Sequence, residues 1–151
     1  MSSLDEIRRK KLEELTHRLN VAGSVRFTGW LPENELPEYL NSSDVYVSTS
    51  LSDGDLSQST QQAMACEVPV VTTNLTVNEK RIRDGYNGLL IPPRNHALLA
   101  EKIVTLLNNE KLRITLGRAG REVIVADLNY SKNMRAAENL YRELGGEKNK
   151  K

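Results

Sequence analysis

The chain is short of several things, and each shortage closes a class of explanation. It has one cysteine in 151 residues, which excludes an internal disulfide framework and any cysteine-cluster metal site. That usage fits a reducing compartment, and a cytoplasmic protein is expected. It has one Trp, one Phe and two His, and both His17 and His96 sit in helical contexts. Neither has the carboxylate or cysteine spacing that metal binding or acid–base work requires. Net charge is nearly absent: Lys plus Arg number 21 against 20 for Asp plus Glu, leaving +1. Nothing there offers an electrostatic footprint for nucleic acid. No apolar run approaches the roughly 18 residues of a membrane span, and the charged N-terminus lacks a signal-peptide core.

What the chain does contain is an alternation of two periods. Leu4, Ile7, Leu12, Leu15 and Leu19 fall on one helical face of Leu4–Leu19, with charges elsewhere. Val25-Arg26-Phe27 reads as a short strand stopped by Gly29. Asn34–Asn41 reads as a short helix with Pro37 in its first turn. Asp44–Ser48 is β-branched and aromatic, hence a strand. Val68–Thr72 and Gly88–Pro92 are apolar runs bounded by breakers, as buried parallel strands are. Helical stretches at Ser57–Cys66 and about Val77–Arg83 separate them, so an α/β parallel sheet is expected. After Ile91 the chain turns helical: His96–Leu107 behind an Asn95 cap, a helix after Asn109, and a third over about Lys132–Leu144 that stops at Gly145-Gly146. The rest of the tail is a charge run, so 1–145 is expected to be ordered and 146–151 disordered. No internal repeat or linker is visible.

In an open parallel sheet, ligands bind beyond the carboxyl ends of the strands, near helix N-termini. The loop that answers this description is Thr49-Ser50-Leu51-Ser52-Asp53-Gly54-Asp55-Leu56, which runs into the helix from Ser57. Free amides at that N-terminus, with Gly54 nearby, suit a phosphate. The hydroxyls of Ser57, Ser59 and Thr60 add donors. Asp53 and Asp55 can accept from sugar hydroxyls, although Asp55 would repel a phosphate. The competing reading is a turn and an N-cap with no ligand, and spacing alone favours it.

The wider stretch shifts that balance. SLSDGDLSQSTQQAMACEVPVVTT, then IRDGYNGLLIPP and LLAEKIVTLL, resemble the donor-binding C-terminal domain of retaining GT-B glycosyltransferases of the group 1 (family 4) class. VRFTGWLPENELPEYLNSSDVYVSTS upstream and NYSKNMRAAENLYREL at the end fit the same family, in order, from about Leu4 to Leu144. The fold it implies is a Rossmann-like parallel sheet flanked by helices, with a helical C-terminal tail, as an incomplete GT-B C-terminal domain. The resemblance implies transfer of a sugar from a nucleotide-sugar to an acceptor, with no metal or other cofactor. Family members carry two glutamates eight positions apart, one contacting the transferred sugar and the other the ribose. Here the residue before Ala63-Met64-Ala65-Cys66 is Gln62, which offers hydrogen bonds without charge. Counting back eight reaches Gly54, between Asp53 and Asp55; with one extra loop residue, the first role falls to Asp53. Gly54, Asp55, Leu56 and Ser57 line the donor. Trp30 and Leu31, in the turn after the first strand, line the nucleobase pocket; Trp30 as a core or interdomain anchor is an equal alternative. Cys66 is expected to be an inert core thiol, Arg81 and Arg83 to lie on a solvated face, and Glu79 to have no catalytic role.

The resemblance also implies what should precede this chain. Family donor domains begin with a strand, a glycine turn whose Arg and Lys grip the pyrophosphate, a helix and a second strand. In the usual strand order the two strands lie between Val25–Phe27 and Asp44–Ser48. Either Val25–Phe27 pairs directly with Asp44–Ser48, or a second chain supplies the strands. An N-terminal acceptor domain is expected as a partner, and any membrane association would come through that part. The chain alone is expected to be inactive. A non-catalytic nucleotide-binding remnant or subunit is the alternative, and a nucleotide-sugar epimerase, which shares the fold, is less well matched by the AMAC and NGLLIPP blocks.

Overall fold

The computed structural model describes residues 3–52, 54–127 and 130–148. They fall into two compact units, residues 1–33 and 34–151. The smaller unit holds α1 (Ser3–Arg18) and a single 3-10 turn at Ala22–Ser24. None of its described side chains is buried. The apolar stripe of α1 is as the spacing predicts, yet Ile7, Leu12 and Leu19 are all at least half exposed.

The expected strand at Val25–Phe27 does not form. Val25 has extended torsions, φ −116° and ψ 126°, but the segment belongs to no ladder. A strand exists only through a neighbour that takes its amides and carbonyls. Without one, Val25 and Arg26 stay solvated. The direct pairing with Asp44–Ser48 is therefore absent.

The larger unit contains a three-stranded, all-parallel sheet of β1 (Tyr46–Ser48), β2 (Val70–Thr73) and β3 (Leu89–Ile91), in the order β1-β2-β3. Its helices are α2 (Leu36–Asn41), α3 (Gln58–Ala65), α4 (Thr76–Glu79), α5 (His96–Leu107), α6 (Glu110–Asp127) and α7 (Tyr130–Lys148). Helix α5 has the predicted bounds, with Asn95 Oδ1 accepting from the Leu98 amide at 3.0 Å. Helix α4 is shorter than expected. Helix α7 runs on through Gly145 and Gly146, where a stop was expected, because neither glycine is held in a capping conformation. Residues 149–151 of the tail lie outside the described residues.

Side-chain alternation on the strands divides the core in two. Val70 joins Leu40, Leu56, Met64 and Ile82 on the α3 side. Val71, Leu89 and Ile91 join Leu106 and Leu116 on the α5 side. Cys66 is half-buried against the first cluster, consistent with a packing thiol.

Helix α3 ends in a strained residue. Glu67 follows the Cys66 cap with φ 59°, a left-handed conformation that favours glycine at this position. Its one ion pair among the described residues, with Arg121 at 3.8 Å, joins side chains that are both about half exposed, so it contributes little. Glu67→Gly is expected to raise stability by about 0.5–1 kcal/mol in urea denaturation.

Candidate functional site

The site is built where β1 hands the chain to α3. The Ser57 side chain caps the helix: its Oγ accepts from the Thr60 amide at 3.3 Å and lies 2.7 Å from Thr60 Oγ1. The loop before it is pinned from both sides. Asp55 Oδ1 accepts from the Leu56 amide at 2.8 Å, and Gln61 Nε2 donates to the Leu56 carbonyl at 2.6 Å. Leu56 itself is buried in the α3-side core, so its side chain anchors the loop.

The cap leaves two donors open. The Thr60 amide goes to Ser57 Oγ and the Gln61 amide to the Ser57 carbonyl at 3.0 Å. The Gln58 and Ser59 amides precede the first intrahelical bond and have no acceptor among the described residues. They stand beside a hydroxyl cluster. Tyr46 Oη donates to Ser59 Oγ at 2.8 Å, and Ser59 Oγ lies 3.5 Å from Ser57 Oγ. On the same face of β2, the Thr72 hydroxyl is fully buried and has no partner. Two amides, several hydroxyls and the positive end of the helix dipole make a seat for an oxyanion.

A second set of bonds holds the adjoining backbone. Thr73 Oγ1 donates to the Ser50 carbonyl at 2.5 Å, which ties the loop after β1 to the end of β2. Asn78 Nδ2 donates to the Thr73 carbonyl at 2.8 Å, while its buried Oδ1 has no partner. Sequence reasoning missed Tyr46, Thr72 and Asn78. Tyr46 reaches helix α3 and Thr72 lies on the neighbouring strand, contacts that spacing does not show, while Asn78 turns back to the Thr73 carbonyl five residues before it.

Of the residues singled out in sequence, Gly54, Asp55, Leu56, Ser57 and Gln62 lie together in the larger unit. Gly54 and Asp55 are exposed, and Gln62 is half-buried one turn into α3. Asp53 lies outside the described residues. Trp30 and Leu31 belong to the smaller unit. There Trp30 is 94% exposed and is no core anchor. It borders a groove of about 820 Å³ that it shares with Phe27 and the arginines 8, 9 and 26. Arg81 and Arg83 are spoken for, the first 3.4 Å from Asp127 and the second stacked 5.6 Å over the Tyr86 ring. Among the described residues no cluster of three or more His, Cys, Asp or Glu is placed to hold a metal ion. No described helix is long and apolar enough to cross a membrane.

Comparison with known proteins sets this geometry in a family. The chain is 32% identical over 135 residues to an uncharacterised glycosyltransferase of Methanocaldococcus jannaschii, covering 89% of this chain and 38% of the relative. Among solved structures it resembles sucrose-phosphate synthase of Thermosynechococcus elongatus, with TM-score 0.86 and 28% identity over 93% of this chain and 35% of that one. It also resembles a variant of S. aureus TarM in complex with fondaparinux, α-GlcNAc-glycerol and UDP, with TM-score 0.79 and 27% identity over 87% of this chain and 26% of that one. The chain thus spans 38%, 35% and 26% of the length of these three proteins. The model of the family described as "Glycosyl transferases group 1" matches residues 5–123. The chain belongs to that family and has the fold of a GT-B glycosyltransferase C-terminal domain.

Proposed function

We propose that this chain is the donor side of a retaining glycosyltransferase, which seats the diphosphate of a nucleotide-sugar at the N-terminus of α3. The observation that carries the reading is the pair of open amides, Gln58 and Ser59, beside the hydroxyls of Ser57 and Ser59 at the carboxyl edge of the sheet. Preorganised amides of this kind stabilise the charge that develops on a leaving diphosphate, without a cation. Gln62 takes the ribose, and the family resemblance gives the transferred sugar to Asp53. Asp55, whose Oδ1 is held by the Leu56 amide, fixes the loop. The UDP in the TarM complex supports a nucleotide ligand. An acceptor-binding half, in the same or another polypeptide, completes the cleft.

One observation favours a second reading. The ribose position holds Gln62, where the family resemblance implies a carboxylate. A non-catalytic nucleotide-binding subunit would keep the α3 seat and dispense with that charge. Both readings require binding, so binding is the first test. Thermal melting of the purified chain against UDP, GDP, ADP and their sugars is expected to show one selective base. At about 100 times Kd the gain is about 2.7 kcal/mol, or about 5–10 °C for a domain this size. A cooperative melt that no nucleotide shifts would contradict both readings.

A further inference from the structure

We propose that the cavity on the α5 side of the sheet's carboxyl edge is a phosphate-binding subsite, separate from the seat at α3. The cavity measures about 290 Å³, and the ends of all three strands converge on it. Thr49 follows β1, while Thr73 and Ile91 are the last residues of β2 and β3. Leu51 and Leu99 give its lining apolar surface, and the exposed side chains of Arg94 and His96 also line it. None of the described lining residues is acidic, so no described side chain of the lining neutralises the Arg94 guanidinium. A largely apolar cavity with an uncompensated cation in its lining calls for an anion.

The end of α5 is capped as α3 is, so the His96 and Ala97 amides have no acceptor among the described residues there either. Its Leu98 amide is already capped by Asn95, and its Leu99 amide bonds the Asn95 carbonyl at 3.1 Å. Thr73 spends its proton on Ser50. The side-chain donors left are the guanidinium of Arg94, Nδ2 of Asn95, the His96 ring and the Thr49 hydroxyl. A guanidinium meets a phosphate through two parallel charge-assisted bonds, which an ammonium cannot match.

Strand register separates this cavity from the α3 seat. Ser48 pairs with Thr72 and Thr72 with Leu90, which places these residues on the α3 side. Thr73 and Ile91, one position on, face the other way. The two seats therefore flank the same edge of the sheet from opposite faces. That arrangement suits a phosphate on a second molecule, such as a phosphorylated acceptor, rather than the diphosphate already at α3.

The test is an NMR titration of the ¹⁵N-labelled full chain with inorganic phosphate at constant ionic strength. Saturable shifts are expected at the amides of Thr49, Thr73 and His96. Arg94 has φ 64°, so Arg94→Gly removes the cation while suiting the backbone, and its melting temperature checks the fold. That variant is expected to bind phosphate about tenfold or more weakly, with Arg94→Lys in between. Repeating the titration with excess UDP separates the two sources. Undiminished binding identifies a separate molecule's phosphate, whereas displacement would mean that the donor's own diphosphate occupies the cavity and would overturn the proposal. Non-saturable shifts, or equal binding by Arg94→Gly, would overturn it as well. These phosphate readouts stand whether or not UDP binds, so failure of the nucleotide reading remains distinguishable.

Discussion

Gly117→Ala is expected to cost about 3 kcal/mol or more, a large part of the roughly 5–15 kcal/mol that holds such a domain together. Helix α6 crosses the end of α3 at this residue. A Cβ built on Gly117 would lie 1.9 Å from the Glu67 carbonyl oxygen and 2.8 Å from its carbon. Both are backbone atoms, so no side-chain rotation relieves the clash and the helices must separate. Leu116 is fully buried, and its neighbour Gly120 also packs closely, 3.3 Å from the Asn87 carbonyl by the same construction. Separation would therefore open the core between α6 and the sheet as well. Urea denaturation of Gly117→Ala beside Gly54→Ala checks this, because a Cβ at Gly54 meets nothing within 4 Å. The second variant is expected to stay within about 0.5 kcal/mol of the parent. Equal stability of the two would show that α6 does not sit this close to α3.

Ser57→Asp is expected to weaken binding of the nucleotide diphosphate about 100-fold while leaving stability nearly unchanged. Asp is as good an N-cap as Ser, so the Thr60 amide keeps its acceptor and α3 its start. The added carboxylate would stand where the diphosphate is proposed to sit. Two like charges about 4 Å apart repel by about 4 kcal/mol at the screening typical near a protein surface. A loss of 100-fold, about 2.7 kcal/mol, is a conservative fraction of that. Isothermal titration with the nucleotide selected by melting measures the affinity, and the melting curve of the free variant reports the fold. Unaltered affinity would remove the diphosphate from the end of α3. A lowered melting temperature together with lost binding would instead trace the effect to the cap.

The parts of this fold that were legible in sequence are those fixed by neighbours along the chain. Asn95 announced α5 because its side chain caps an amide three residues on. The runs around Val47, Val71 and Leu90 announced strands because both faces of the sheet are covered. Ser57 could be named as a cap for the same local reason. Val25–Phe27 misled because its alternation is that of a strand, while strand formation depends on a partner the segment does not have. Gly117 was unreadable: inside a helix a glycine looks like a weakness, and only the passage of Glu67 across it explains the choice. The hydroxyl cluster was half visible. Ser57, Ser59 and Thr60 lie on the loop and helix already suspected. Tyr46, 13 residues before Ser59, and Thr72, across the sheet, enter only when β1 and β2 are laid side by side.

The central claim is that a nucleotide diphosphate sits at the N-terminus of α3, and mapping of amide shifts on addition of UDP or the base selected by melting tests it most directly. The account predicts that the largest shifts fall on Gln58 and Ser59, whose amides are open, with smaller ones at Ser57 and Gln62. Saturable binding with those four amides unmoved, and shifts gathered instead around Arg26 and Trp30 alone, would contradict it.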